Sequence, residues 1–111
     1  MKIVDPGHEY ELESIDGELP QRIVFVKRFR GVQNHAGTVN QELLRVLIDR
    51  TERLDAEKPW VGNKEIIECL RKVLVLHEGR ALYFKVVKGE LKPERVETNK
   101  HDGHFKLTEY V

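Results

Sequence analysis

The alternation of polar and apolar residues predicts two strands near the start of the chain. Residues 9–14 alternate strictly, which is typical of a strand with one exposed face. Asp16 and Gly17 follow as a turn signal, because glycine accepts a positive φ and aspartate tolerates it. Residues 22–29 carry apolar side chains on both faces. We therefore expect an N-terminal β-hairpin whose second strand is covered on both sides, by helices or by another subunit.

Apolar residues at three- and four-residue spacing predict a first helix over residues 38–56. A loop rich in turn-forming residues, 30–37, precedes it. Thr38 and Gln41 have the spacing of a capping box, in which each side chain accepts a hydrogen bond from the other residue's backbone amide. The helix is therefore expected to begin at Thr38.

A second segment with the same spacing predicts another helix, beginning at Asn63 as its N-cap. The spacing continues through Gly79, although glycine costs about 1 kcal/mol relative to alanine inside a helix. A helix that ends at residue 78, followed by a strand over residues 81–87, is the alternative. The continuous spacing favours one long helix up to residue 87.

Together these patterns predict one α+β domain over residues 1–111, a length that fits a single domain. Its expected parts are an N-terminal β-hairpin (1–30) packed on an antiparallel two-helix hairpin (38–87), and a short C-terminal β-hairpin or tail (88–111). A domain of this size buries only about 60–65% of its unfolded surface, so added burial between subunits would stabilise it. We expect a homo-oligomer.

Composition narrows the function classes. The chain carries 19 Lys and Arg and 19 Asp and Glu, and this zero net charge argues against general nucleic-acid binding, which needs a basic field. No apolar run is long enough to span a membrane and no signal peptide is evident, so a cytoplasmic location is expected. Cys69 is the only cysteine and lies in an apolar helical stretch, which suggests a buried structural thiol.

The charge is unevenly placed, because an acidic first segment precedes a basic one that contains Lys27 and Arg28. Cross-strand ion pairs are one interpretation. The other is an anion site, since the amides after Gly37 lie at the positive end of a helix. An ordinary capped helix with solvated charges would have the same sequence. The predicted ligand-binding residues are Lys27, Arg28, Asn34, Gly37, Thr38, Gln41 and Arg45.

Two histidine-containing segments are candidate reactive sites. Asp5 and His8 flank a Pro-Gly turn, where an Asp-oriented histidine would be a general base, but a surface turn with a hydrogen-bonded histidine is favoured. His101, Asp102 and His104 match no closed zinc pattern, so exposed turn histidines are favoured there too. No nucleophile–base set, phosphate-binding loop or dinucleotide fingerprint is present. We therefore predict no catalytic residue, no metal site and no cofactor.

Several short motifs in the first two thirds of the chain form a recognisable pattern. They are Asp5-Pro6-Gly7-His8, Phe25-Val26-Lys27-Arg28, Gly37-Thr38, Gln41-Glu42-Leu43-Leu44-Arg45 and Leu47-Ile48-Asp49-Arg50. This pattern resembles that of a group of small uncharacterised phage and prophage proteins. The group has no assigned activity, so the resemblance transfers no functional residue. It implies a non-catalytic accessory protein, because such proteins often inhibit host defence by binding an enzyme or sequestering a nucleotide signal.

Three functions follow as hypotheses. The first is a non-enzymatic phage-type protein that binds an anionic small molecule, such as a nucleotide signal of host defence. The second is a protein-binding inhibitor or structural adaptor that uses the helix faces, Trp60 and the C-terminal tail. Tryptophan is enriched at binding hot spots, although Trp60 could equally pack over the end of the helix pair. The third is a small hydrolase that uses His8, Asp5 or the C-terminal histidines His101 and His104.

Overall fold

The structure, a computed structural model, describes residues 1–29, 32–87, 96–98 and 105–107. The chain divides into two compact units, Met1–Asn40 and Gln41–Val111. Strands dominate the first unit and two packed helices the second, which confirms the predicted α+β class.

The first unit is built on an antiparallel sheet with the order β1-β2-β3. Its strands are β1 (Lys2–Asp5), β2 (Glu9–Leu12) and β3 (Gln21–Val24). The predicted hairpin corresponds to β2 and β3, which pair Tyr10 with Ile23. Strand β1 was not predicted, and it joins β2 through a tight turn in which the amide of His8 donates to the carbonyl of Asp5 at 2.9 Å.

The expected strand over residues 22–29 is interrupted at Phe25 and Val26. The Phe25 amide donates to the His8 carbonyl, whereas the Val26 amide donates to the Thr38 carbonyl, so the backbone changes partners here. Strand β4 (Lys27–Phe29) then pairs with β5 (Val32–His35) in a separate antiparallel sheet. Strand β5 occupies most of the segment that was expected to be a loop. Residues 30 and 31 lie outside the described part of the chain.

Gly37 lies where two backbone segments come very close together. A Cβ atom at this position would be 2.5 Å from the carbonyl carbon of Phe25 and 2.6 Å from the carbonyl oxygen of Val24. Both neighbours are backbone atoms, so no side chain can move to make room. Glycine is required here by this close approach rather than by a positive φ.

The second unit contains the two helices, α1 (Asn40–Glu57) and α2 (Gly62–Val87). Helix α1 begins two residues after Thr38, because a parallel bridge to Phe25 holds Thr38 in extended conformation. Helix α2 begins one residue before Asn63 and passes through Gly79 without a break, so the continuous helix was predicted correctly. Strands β6 (Val96–Thr98) and β7 (Phe105–Leu107) pair antiparallel, which agrees with the expected C-terminal β-hairpin and not with a tail. Residues 88–95, 99–104 and 108–111 lie outside the described residues.

The buried apolar residues of the described part are Ile48 on α1 and Leu74 on α2. Cys69 is exposed, so its assignment to the core was wrong. Helical geometry explains the difference: at about 100° per residue, Cys69 lies about 140° around α2 from Leu74. The apolar spacing of α2 therefore includes residues of two different faces.

Two glycine substitutions should have opposite effects on stability. Gly37→Ala forces its Cβ against backbone atoms, and such overpacking typically costs about 1–3 kcal/mol. Gly79→Ala should stabilise α2 by about 0.5–1 kcal/mol, because a Cβ there meets nothing within 4 Å.

Hydrogen exchange and thermal unfolding measure these effects. In Gly37→Ala, exchange should become faster at the amides of Val26 and Thr38, which bond across this approach. In Gly79→Ala, the midpoint of the helical circular dichroism transition should rise. Unchanged exchange in the first variant would contradict the packing role of Gly37.

Candidate functional site

Five of the seven residues predicted to bind an anion lie in the first unit. Lys27 and Arg28 are in β4, and Asn34 is in β5, opposite the irregular step between them. The Lys27 ammonium lies 3.2 Å from the Asp5 carboxylate. The Thr38 amide, one of the amides expected to be free, donates to the Val24 carbonyl at 2.8 Å. The Gly37 backbone is in the close contact described above.

The other two predicted residues, Gln41 and Arg45, lie in the first turns of α1 in the second unit. Arg45 pairs with Glu42 on its own helix at 3.3 Å and with Glu78 on α2. Lys27 and Arg45, the cations of the predicted site whose side chains are described, thus each contact a carboxylate. The predicted anion site stays a prediction, with less uncompensated charge than the sequence suggested.

The acidic and basic segments of the first unit do form the cross-strand ion pairs that were one interpretation of their charge. Arg22 on β3 lies 2.8 Å from Glu9 on β2, and Lys27 pairs with Asp5. These side chains are partly exposed, and exposed pairs of this kind contribute about 0.2–1 kcal/mol each. They support the sheet but provide no reactive group.

The histidine segments differ from expectation where they are described. His8 is buried, not at the surface. Its backbone amide donates to the Asp5 carbonyl, and its carbonyl accepts from the Phe25 amide. His101, Asp102 and His104 lie outside the described residues. Among residues 1–29, 32–87 and the two short C-terminal strands, no group of three potential metal ligands comes together.

Two ion pairs join α1 and α2 in a reciprocal arrangement. Arg45 on α1 pairs with Glu78 on α2, and Glu52 on α1 pairs with Arg71 on α2 at 2.7 Å. On each helix an arginine precedes a glutamate by seven residues, which is two turns. The two pairs therefore match only when the helices are antiparallel and in this register.

The core layer of the second unit lies between these two ion pairs along the helices. Ile48 falls between Arg45 and Glu52, and Leu74 falls between the α2 partners. Glu78 is only 8% exposed, so its charge depends on close compensation. Shifting one helix along the other would separate the apolar pair and leave this carboxylate displaced from Arg45.

The turn between the helices is held by one carboxylate. Asp55 accepts hydrogen bonds from the Trp60 amide at 3.3 Å and from the side-chain amide of Asn63 at 2.8 Å. The Asn63 side chain therefore donates a hydrogen bond to the preceding helix. This differs from the expected N-cap role, in which the side chain would accept a hydrogen bond from α2 itself. The Trp60 ring lies against Gly62 and is largely exposed.

The opposite face of α2 carries a second apolar stripe, which we call the outer seam. Its members are Ile66, Cys69, Val73, Leu76, Arg80 and Tyr83. They recur at alternating three- and four-residue steps, the spacing of a helix–helix contact in coiled coils. All are exposed, and four apolar members are 40–64% exposed. Helix α2 is thus apolar on two opposite faces, and α1 covers one of them.

Both features were visible in the sequence but were not recognised there. The seven-residue Arg-to-Glu spacing occurs in both helices, and the outer seam follows a regular heptad spacing. The apolar positions of α2 were assigned to a single face, because three- and four-residue steps start equally well from Ile66 or Ile67. Only the position of α1 separates the two faces.

A search of protein-family models gave no match, nor did searches among curated proteins and solved structures. In the part of the chain that is described, no helix is long and apolar enough to cross a membrane.

Arg45→Met should lower the free energy of unfolding more than the removal of an exposed charge from the same helix. It removes the cation beside Glu78, and breaking a largely buried pair typically costs about 2–4 kcal/mol. Urea unfolding followed by helical circular dichroism and Trp60 fluorescence measures the change.

Arg53→Met is the matched control, because Arg53 pairs with Asp49 at the exposed surface of the same helix and should leave the urea midpoint unchanged. Adding Glu78→Leu to Arg45→Met should recover most of the lost stability, since no buried carboxylate then remains. Equal shifts of the urea midpoint in Arg45→Met and Arg53→Met would show that the pair between Arg45 and Glu78 does not stabilise the helix pair.

Proposed function

We propose that the chain is a non-catalytic protein-binding module that acts through the outer seam of α2. One observation carries this proposal, namely that α2 has an exposed apolar stripe on the face away from α1, and that the contact of β7 with α2 does not bury it. A contiguous exposed apolar patch rimmed by polar residues is typical of a surface that binds another protein. The outer seam therefore has the chemistry of an interface whose partner is another protein surface.

The size of the seam suits reversible association. Covering the exposed part of each apolar seam residue would contribute about 1 kcal/mol, roughly half the value for burying such a side chain fully. Association costs about 4–15 kcal/mol in lost freedom, so a few such residues on each partner give modest affinity. Binding through the seam is therefore expected to be weak and readily reversible.

A binding protein without catalysis also fits the resemblance to phage accessory proteins. Of the hypotheses drawn from the sequence, the protein-binding inhibitor or adaptor gains most support from the geometry, because its helix face is now defined. The anion-binding hypothesis has less support, because Lys27 and Arg45 each contact a carboxylate.

Leu76→Glu should abolish the proposed binding. Leu76 is 64% exposed at the middle of the outer seam, and a carboxylate there would have to be desolvated in any complex. Leu47→Glu is the matched control, because Leu47 is 46% exposed on α1, away from the seam. Native mass spectrometry and affinity capture should find a protein partner with the wild type and with Leu47→Glu, but not with Leu76→Glu.

The proposal fails if Leu76→Glu leaves every association intact. It fails also if the wild type forms no complex with itself or with another protein. Circular dichroism of each variant verifies that the helix pair has folded.

Calorimetry against a panel of mono-, di- and cyclic nucleotides tests the anion-binding alternative. We expect no heat of binding at micromolar protein, because the described cations of the predicted site are already compensated. Saturable heat that is lost in Lys27→Ala would instead establish nucleotide binding as the function.

A further inference from the structure

Several charges along the outer seam have no ion-pair partner among the described residues, and two of them lie near its ends. Arg80 is a seam member, and Glu65 lies directly before the first one, Ile66. Both are exposed, and neither has an oppositely charged partner among the described residues. The Arg80 guanidinium lies 4.9 Å from the centre of the Phe84 ring on its own helix. Because fifteen residues of helix span about 22 Å, Arg80 and Glu65 of one helix cannot pair.

We infer that the outer seam binds the same seam of a second copy, with the two α2 helices antiparallel and Val73 at the two-fold axis. This inference rests on the proposed function and names its partner. Arg80 of each copy then lies beside Glu65 of the other, which makes two equivalent intermolecular ion pairs. A symmetric contact of this kind is the commonest form of homodimer.

Charge decides between the two possible orientations. In a parallel, in-register pair every residue faces itself, so Arg80 would lie against Arg80 within an apolar seam. Like charges in contact are destabilising, and most so where water is excluded. The antiparallel pair avoids this contact and gives each arginine a carboxylate. The chain already uses this solution internally, where Arg45 and Arg71 pair with glutamates across antiparallel helices.

The same register also gives acceptable packing along the seam. Val73 contacts its equivalent, Cys69 lies opposite the level of Leu76, and Ile66 meets the aliphatic stem of Arg80. Gly79 borders the seam and has no side chain, which leaves room for Arg80 to reach across.

The two Lys72 side chains approach each other near the axis. Glu68 lies four residues before Lys72, which is the favourable spacing for an ion pair that compensates the lysine charge.

A charge exchange tests the ion pairs. Sedimentation equilibrium of the full chain should show a monomer–dimer equilibrium at concentrations up to about 100 µM. Arg80→Glu alone and Glu65→Arg alone should each weaken dimerisation about tenfold, because each places like charges together. The double variant should return to within about threefold of the wild type, because the pairs form again with their signs exchanged. Lack of recovery in the double variant would overturn the proposed register.

Cysteine cross-linking tests the orientation independently. In the antiparallel pair the two Cys69 residues are eight residues apart along the axis, about 12 Å, which is beyond disulfide reach. Oxidised wild type should therefore stay unlinked. Val73→Cys in a Cys69→Ser background should cross-link, because position 73 then faces itself. A disulfide through native Cys69 would show a parallel pair and overturn the inference.

The outcomes separate this inference from the proposed function. A wild type that stays monomeric at about 100 µM overturns the self-association. If that monomer captures a different protein and Leu76→Glu loses it, the outer seam is still an interface and only its partner was wrong. If no complex depends on Leu76, both proposals fail.

Discussion

The second unit depends on the reciprocal ion pairs that fix the register of α1 against α2. Arg45 with Glu78 and Glu52 with Arg71 lie on either side of the layer formed by Ile48 and Leu74. These two buried residues and their half-buried apolar neighbours, such as Leu44 and Leu70, would by themselves tolerate several alignments of a pair of helices. A largely buried carboxylate does not, because moving it away from its arginine leaves a charge in a poorly solvated position. The ion pairs therefore provide specificity, while the apolar layer provides the attraction.

Fixing α1 on one face of α2 determines what remains on the other. The polar residues of α2 are too few to cover its whole outer surface, so an apolar stripe is left opposite the helix pair. The stability of the hairpin and the chemistry of the outer seam are thus two consequences of one alignment. A shift of α1 by a few residues would present a different set of α2 side chains to solvent.

The spacing of apolar residues was sufficient to find both helices and to continue α2 through Gly79. It could not separate the faces of α2, since Val73 and Leu74 fit the same period, and this ambiguity misplaced Cys69 in the core. Strands β1 and β5 were missed because polar and apolar residues do not alternate along them. Gly37 was noticed for its place before a helix, but the reason for glycine there is a backbone contact between segments distant in sequence. No local pattern reports such a contact.

The identical Arg-to-Glu spacing on the two helices has a consequence for how the chain avoids exchanging segments between molecules. Since α1 of one chain would find the same charges on α2 of any other chain, the pairing itself does not distinguish self from neighbour. The short connection makes that distinction by keeping α1 and α2 at a high effective concentration. Asp55 closes the connection through Trp60 and Asn63, and so acts as a guard against domain swapping.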